Sequence, residues 1–198
     1  MALVRGETPA LVLRRRYNPA HCAALMSRFY ERGLLYDPHE TGDRTPHRVD
    51  IGTSFGQYRD DRKAFFAHAA ETRKLFATLF EGYDDPVAIM YESLALLAPD
   101  KEIKIAREAD GSLYGPAIFR VYHAGLGHGP HFDSVARRTK AFDYAISRFQ
   151  YQLAAVLCFQ SSGDTGDSGE AFIHNCPWTP DIQPTLANRS FSEYARNN

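Results

Sequence analysis

Hydrophobic residues in the first half of the chain recur at helical spacing and predict three helices. The first is the best delimited, because Asn18 can cap the backbone, Pro19 is tolerated in a first turn and Gly33 ends the pattern. The polar stretch 37–55, rich in glycine and proline, predicts a loop long enough to cover a site or to act as a mobile connection. The predicted helices are 18–33, 57–80 and 86–99.

In the second half, the pattern changes to the alternation that is typical of strands. Residues 136–147 are basic and polar with some helical character, and the chain beyond Pro177 is irregular apart from a short helical run at 191–196. Helices followed by strands predict one α+β domain, with 1–100 as helical support and 101–198 as a β-barrel or jelly-roll core. The predicted strands are 102–107, 117–123, 148–160 and 169–174.

Composition and charge narrow the class of protein. Net charge is −1, from 23 basic and 24 acidic side chains, which gives no general electrostatic reason to bind nucleic acid or an anionic membrane. No apolar run reaches the roughly 18 residues that span a bilayer, and the first residues lack the pattern of a secretory signal. Cys22, Cys158 and Cys176 lack zinc-like spacing and predict free thiols. We therefore expect a soluble, cytoplasmic protein.

The segment 119–133 combines a strand, a glycine-rich turn and a His-x-Asp motif. Side chains alternate along an extended segment, so His131 and Asp133 should point to the same side. That arrangement places a nitrogen and an oxygen ligand a few Å apart, as half of a 2-His-1-carboxylate iron(II) site requires. His-x-Asp alone is a common motif, so it supports a metal site only in combination with the motifs around it.

The order of motifs around this segment resembles that of the iron(II)/2-oxoglutarate-dependent dioxygenases, in particular the prolyl-4-hydroxylase-like branch. An Arg-x-Tyr strand, a glycine turn, His-x-Asp, a long strand that begins with arginine and a Gly-Glu strand follow one another. Within that superfamily, His-Gly-Pro-His-Phe-Asp is most similar to the free amino-acid hydroxylases and radical halogenases such as lysine chlorinases. The matching residues are Arg120, Tyr122, Gly125, His131, Asp133, Arg148, Gly169 and Glu170.

The resemblance implies a double-stranded β-helix and a chemistry that needs Fe(II), 2-oxoglutarate and O2. His131 and Asp133 would be the catalytic metal ligands. Tyr122 would hydrogen-bond 2-oxoglutarate, the alternative being an ordinary core tyrosine. His128 would contact the substrate, the alternative being a solvent-facing turn histidine. Related halogenases carry a small residue where Asp133 stands, which opens a site for chloride, so a carboxylate here predicts hydroxylation.

The family pattern is incomplete in this sequence. The family places a second histidine, followed by a basic residue that binds 2-oxoglutarate, on later strands, whereas His174 is the only histidine after His131. We expect that C-terminal strands of the β-helix are missing because the sequence is part of a longer protein. The alternatives are a short form completed by His174 or by a partner chain, and a non-catalytic binding module. Unpaired strand edges predict that the chain either is unstable or self-associates into a homo-oligomer.

The expected function is hydroxylation of a free amino acid or a related metabolite, with release of succinate and CO2. One alternative is a peptidyl or prolyl hydroxylase that binds a protein loop beneath 37–55. Another is a metal-dependent cupin that uses His128, His131 and His174. On the polar side of the second helix, arginines either form a solvated face or bind a substrate carboxylate. These arginines are Arg59, Arg62 and Arg73.

Overall fold

A computed structural model describes residues 2–3, 5, 7–35, 48–58, 61–122, 127–134, 144–161, 171–176, 178–187 and 190–197. They form an α+β arrangement with one two-stranded sheet. The elements are α1 (Pro19–Glu31), β1 (Val49–Gly52), α2 (Arg62–Leu79), α3 (Pro86–Leu97), β2 (Ile118–Val121), α4 (Gln183–Ala187) and α5 (Phe191–Arg196), with 3-10 helices at Ala145–Arg148 and Pro180–Ile182. Across these described ranges, none of the helices has the length and apolar character needed to span a membrane.

The three helices predicted in the first half are confirmed, and local capping sets where they begin. The Asn18 side chain accepts a hydrogen bond from the Ala20 amide at 3.0 Å at the start of α1. The Asp61 side chain accepts one from the Ala64 amide at 2.8 Å, so α2 begins later than the hydrophobic pattern predicts. Each cap satisfies an amide that has no partner within its helix.

Strand β1 lies inside the stretch that was predicted to be a loop. It pairs antiparallel with β2, and Val49 stands opposite Val121. Val49 and Ile51 are both 4% exposed and pack with residues of α1 and α2. Only four residues long, β1 alternates too briefly for its pattern to stand out from the polar sequence around it.

Gly52 ends β1 in a conformation that a side chain would strain. Its φ is +123°, and a Cβ built there would lie 2.8 Å from the backbone oxygen of Ala117. We expect Gly52→Ala to lower the free energy of unfolding by roughly 1–3 kcal/mol, measured by urea denaturation. Gly56→Ala is the control, because its Cβ would meet only Ser54 Oγ, at 3.8 Å. Equal losses in the two variants would contradict the assignment of strain to Gly52.

The buried strand predicted at 148–160 is not observed. Arg148 ends a 3-10 helix, and residues 149–161 have no regular secondary structure. Leu157 and Phe159 pack on the core, whereas Val156 is 86% exposed. A strand requires a hydrogen-bonded neighbour, and no other segment in the described ranges pairs with this one.

The remaining strand predictions have mixed outcomes. Strand β2 confirms the strand predicted at 117–123, whereas 102–107 contributes only an isolated bridge between Arg107 and Leu113. Residues 171–174 have no regular structure, and 169–170 lie outside the described residues. The double-stranded β-helix therefore stays a prediction, as does the division at residue 100. The short α5 confirms the run predicted at 191–196, but α4 was not predicted.

Buried side chains of the described residues form three clusters. The main core joins α1, α2 and the sheet and includes Leu25, Phe29, Phe76 and Leu79. The aromatic cluster, which packs α2 against the segments before β2 and around the first 3-10 helix, consists of Phe65, Tyr114, Tyr144 and Ile146. The C-terminal cluster consists of Ile182, Phe191 and Ala195. Phe132, within the His-x-Asp motif, packs against the C-terminal cluster.

Candidate functional site

His131 and Asp133 lie side by side in the segment 127–134, which has no regular secondary structure. Exposure alternates along it: the side chains of His131 and Asp133 are 39% and 43% exposed, whereas Phe132 is partly buried. Nε2 of His131 lies 3.8 Å from Oδ2 of Asp133. The shared orientation expected from a period of two is confirmed.

A backbone hydrogen bond orients the imidazole of His131. Its Nδ1 lies 2.9 Å from the carbonyl oxygen of Gly129. Because a carbonyl can only accept, Nδ1 carries the hydrogen, and in the neutral imidazole Nε2 then keeps its lone pair. Histidines that bind metal ions usually make such a bond through their other nitrogen, which fixes both the tautomer and the ring orientation.

The geometry of this pair can be compared with that of a metal site. Histidine nitrogen and carboxylate oxygen bind such metals at about 2.0–2.2 Å, so two donors to one ion lie at most about 4.4 Å apart. The separation of 3.8 Å is within this limit, and the donor types suit iron(II). Within the described ranges, no cluster of three or more His, Cys, Asp and Glu side chains could hold a metal ion. His174 is therefore not brought to His131 and Asp133.

His128 lies directly beside the pair. Its ring centroid is 4.1 Å from that of His131, with an interplanar angle of 50°, and its Nδ1 lies 3.1 Å from the same Gly129 oxygen. The residue is exposed. A molecule bound over His131 would meet this ring, and the substrate contact assigned to His128 stays a prediction.

Tyr122 follows β2 directly. Its ring lies close to the side chain of Arg48, a contact that was not predicted from the sequence. The Arg48 guanidinium carbon lies 6.0 Å from the centroid of the Tyr122 ring. Burial acts against the charge of Arg48, but hydrogen bonds with Tyr122 and Asp50 outweigh burial and raise the pKa of Arg48. Arg48 lies within the stretch predicted to be a loop, so no pattern indicated this contact. The 2-oxoglutarate role of Tyr122 stays a prediction.

Two of the arginines on α2 make contacts within the fold. Arg62 Nη2 lies 2.9 Å from Oε2 of Glu108. Arg73 Nη1 donates to the carbonyl oxygens of Leu113 and Tyr114, at 2.6 and 3.0 Å. Both arginines therefore tie α2 to the segment before β2, which neither the solvated-face nor the substrate-clamp interpretation predicted. Outside the described residues lie Arg59, His123, Gly125, Gly169 and Glu170.

Comparison with known proteins covers nearly the whole chain. A family model described as carrier-protein-independent halogenase WelO5 matches residues 2–196. No curated protein and no solved structure matches the chain. Halogenases of this type belong to the iron(II)/2-oxoglutarate-dependent oxygenases and act on small molecules, which confirms the superfamily and the cofactors Fe(II), 2-oxoglutarate and O2. The prolyl-hydroxylase-like branch and an amino-acid substrate stay predictions.

Proposed function

The chain belongs to the carrier-protein-independent halogenase WelO5 family, and on this premise we propose that it hydroxylates an unactivated C–H bond of a free amino acid or a related metabolite. The observation that carries the proposal is the pair formed by His131 and Asp133. Their donor atoms lie 3.8 Å apart, and the Gly129 carbonyl holds the imidazole with Nε2 free to bind iron(II). Iron(II), 2-oxoglutarate and O2 together supply the oxidation, with release of succinate and CO2.

Asp133 is the residue on which the outcome of the reaction depends. In related halogenases a small residue at this position leaves room for chloride, whereas this chain presents a carboxylate that is 43% exposed and faces His131. A carboxylate bound there would occupy the place of the halide. Hydroxylation is therefore the reaction that this side chain favours.

Two neighbouring residues would bind the organic molecules. Tyr122 would donate its hydroxyl to 2-oxoglutarate, and the Arg48 guanidinium beside it, which is paired with Asp50, would help to hold the Tyr122 ring in place. His128 would contact the substrate, because its exposed ring adjoins the His131 ring. Under these assignments, replacing Tyr122 should affect the binding of 2-oxoglutarate, whereas replacing His128 should affect the binding of the substrate.

A second candidate function is halogenation, which the description of the family favours. The two functions differ in product. Hydroxylation adds one oxygen to the substrate, and chlorination replaces one hydrogen with chlorine. Both require the same cofactors, so cofactor binding does not distinguish them.

The test has two stages. The protein is first titrated with iron(II) and 2-oxoglutarate without oxygen, and the weak visible charge-transfer band of the complex is followed. Oxygen, chloride and a panel of free amino acids are then added, and succinate and product masses are measured. Substrate-dependent succinate with a hydroxylated product supports the proposal, and a chlorinated product supports halogenation. If neither the charge-transfer band nor succinate is observed, both candidate functions are overturned.

The role of Tyr122 predicts a selective effect on cofactor affinity. We expect Tyr122→Phe to raise the KM for 2-oxoglutarate about tenfold, because it removes a hydrogen bond to a charged group, while kcat changes by less than about threefold. Tyr91→Phe is the matched control, since the Tyr91 hydroxyl donates to the Pro116 carbonyl at 2.7 Å. An unchanged KM in Tyr122→Phe would exclude the proposed contact.

A further inference from the structure

Phe132 lies between the two candidate ligands, with its side chain turned the other way. The alternation of exposure that brings out His131 and Asp133 leaves Phe132 partly buried. Its ring centroid is 4.9 Å from that of Phe191, with an interplanar angle of 42°. The residue that joins the two ligands is therefore anchored in the C-terminal cluster.

Helix α5 comes close to the ligand-bearing segment at a second point. A Cβ built on Gly129 would lie 3.5 Å from Ser192 Oγ, so the backbone of Gly129 runs close to this side chain. Gly129 is also the residue whose carbonyl accepts from His131. Two successive residues of α5, Phe191 and Ser192, thus adjoin the segment that holds both ligands.

The C-terminal cluster itself is well buried. Ile182 is 1% exposed, Phe191 is 7% exposed and Ala195 is 1% exposed. Phe191 and Ala195 are four residues apart on α5 and so share one face of the helix. Because α4 and α5 contain only five and six residues, they depend on such packing for their stability.

Among the described residues, few other contacts hold the segment 127–134 in place. It has no regular secondary structure and no backbone–backbone hydrogen bond to any residue in the described ranges. We infer that the C-terminal cluster positions His131 and Asp133 through Phe132, so that α5 controls the affinity of the metal site without contacting the metal. This inference rests on the iron site of the proposed function.

Phe191→Ala tests the inference because Phe191 is not itself a ligand. We expect the dissociation constant for iron(II) in the presence of 2-oxoglutarate to rise about tenfold to a hundredfold, the range seen when outer-shell partners of metal ligands are removed. The measurement uses the full chain, well below its melting temperature. Phe191→Leu should restore most of the affinity, because an apolar side chain of similar size still packs on Phe132.

Phe76→Ala is the matched control. Phe76 is also a buried phenylalanine, 7% exposed, but it belongs to the main core. We expect its loss to lower the melting temperature while the folded protein keeps its iron affinity within about twofold, since no residue of 127–134 is among the described residues that form or pack on this core. Equal losses of affinity in Phe76→Ala and Phe191→Ala would overturn the inference.

NMR relaxation separates failure of the inference from failure of the proposed function. In the metal-free protein, Phe191→Ala should lower the backbone order parameters of residues 129 and 131–134, and Phe76→Ala should not. If the unaltered protein binds no iron, the proposed function fails, and the order parameters still decide whether α5 holds the segment. Order parameters in Phe191→Ala equal to those of the unaltered protein would overturn the inference in either case.

Discussion

Replacing His131 by alanine is expected to abolish iron(II) binding and succinate formation. The imidazole is one of two candidate donors, and its Nε2 is the nitrogen that faces Asp133 at 3.8 Å. We expect the iron dissociation constant to rise by more than about a hundredfold. Removing a partner that only orients a metal ligand costs up to about a hundredfold, and His131 would bind the metal itself. Anaerobic titration that follows the charge-transfer band measures the effect. The melting temperature should change little, because the side chain is 39% exposed.

His174→Ala provides the control of the same residue type. His174 is the only other histidine after His131, and it is not grouped with His131 and Asp133 in the structure. We expect its iron affinity and turnover to match those of the unaltered protein. Loss of binding in His174→Ala would mean that His174 completes the site in solution. Normal binding in His131→Ala would exclude the proposed metal site.

The helices could be predicted from the sequence because their determinants are local. The hydrophobic stripe of α1 and its Asn18 cap lie within one element, so spacing and capping chemistry suffice. The sheet depends on partners that are distant in sequence. Val49 stands opposite Val121, and no feature of either residue specifies that pairing. The error at 148–160 has the same origin, since an apolar pattern indicates the capacity to form a strand but not the presence of a neighbour.

In the candidate site too, contacts between residues close in sequence could be predicted and contacts between distant residues could not. Alternation was enough to place His131 and Asp133 on one side, because they are two residues apart. Two neighbours were not predictable, since each comes from another part of the chain. Arg48 reaches Tyr122 from the residue before β1, and Phe191 reaches Phe132 from α5. Such contacts follow from the fold rather than from any motif.

The largest effect on stability is expected at Glu108, whose buried carboxylate joins three parts of the fold. Its side chain is 5% exposed and lies 2.9 Å from Arg62 of α2. It also accepts the Tyr114 hydroxyl and, at 3.0 Å, the Ala145 amide at the first 3-10 helix. Burial raises the pKa of Glu108, but the hydrogen bonds from Tyr114, Arg62 and Ala145 outweigh burial and hold this pKa below its usual value.

Glu108→Gln should lower the free energy of unfolding by about 3 kcal/mol at pH 7, because it leaves the Arg62 guanidinium without its buried counter-charge. This loss of stability lies near the lower end of the range for breaking a buried ion pair, because the Arg62 side chain is 35% exposed. Glu71→Gln is the control: Glu71 pairs with Lys74 at 2.8 Å, but both side chains are more than half exposed. We expect Glu71→Gln to lower the free energy of unfolding by less than about 0.5 kcal/mol. Urea denaturation measures both variants.

The pH dependence identifies the carboxylate as the source of this stability. The pKa of Glu108 is lower in the folded protein than the value of about 4.3 that an unfolded glutamate has. Its contribution is therefore complete above that value and is lost as pH falls through the folded pKa. The difference in unfolding free energy between the unaltered protein and Glu108→Gln should shrink steadily below about pH 4.3. A difference that stays constant down to pH 3 would mean that Glu108 stabilises the fold by packing, not by its charge.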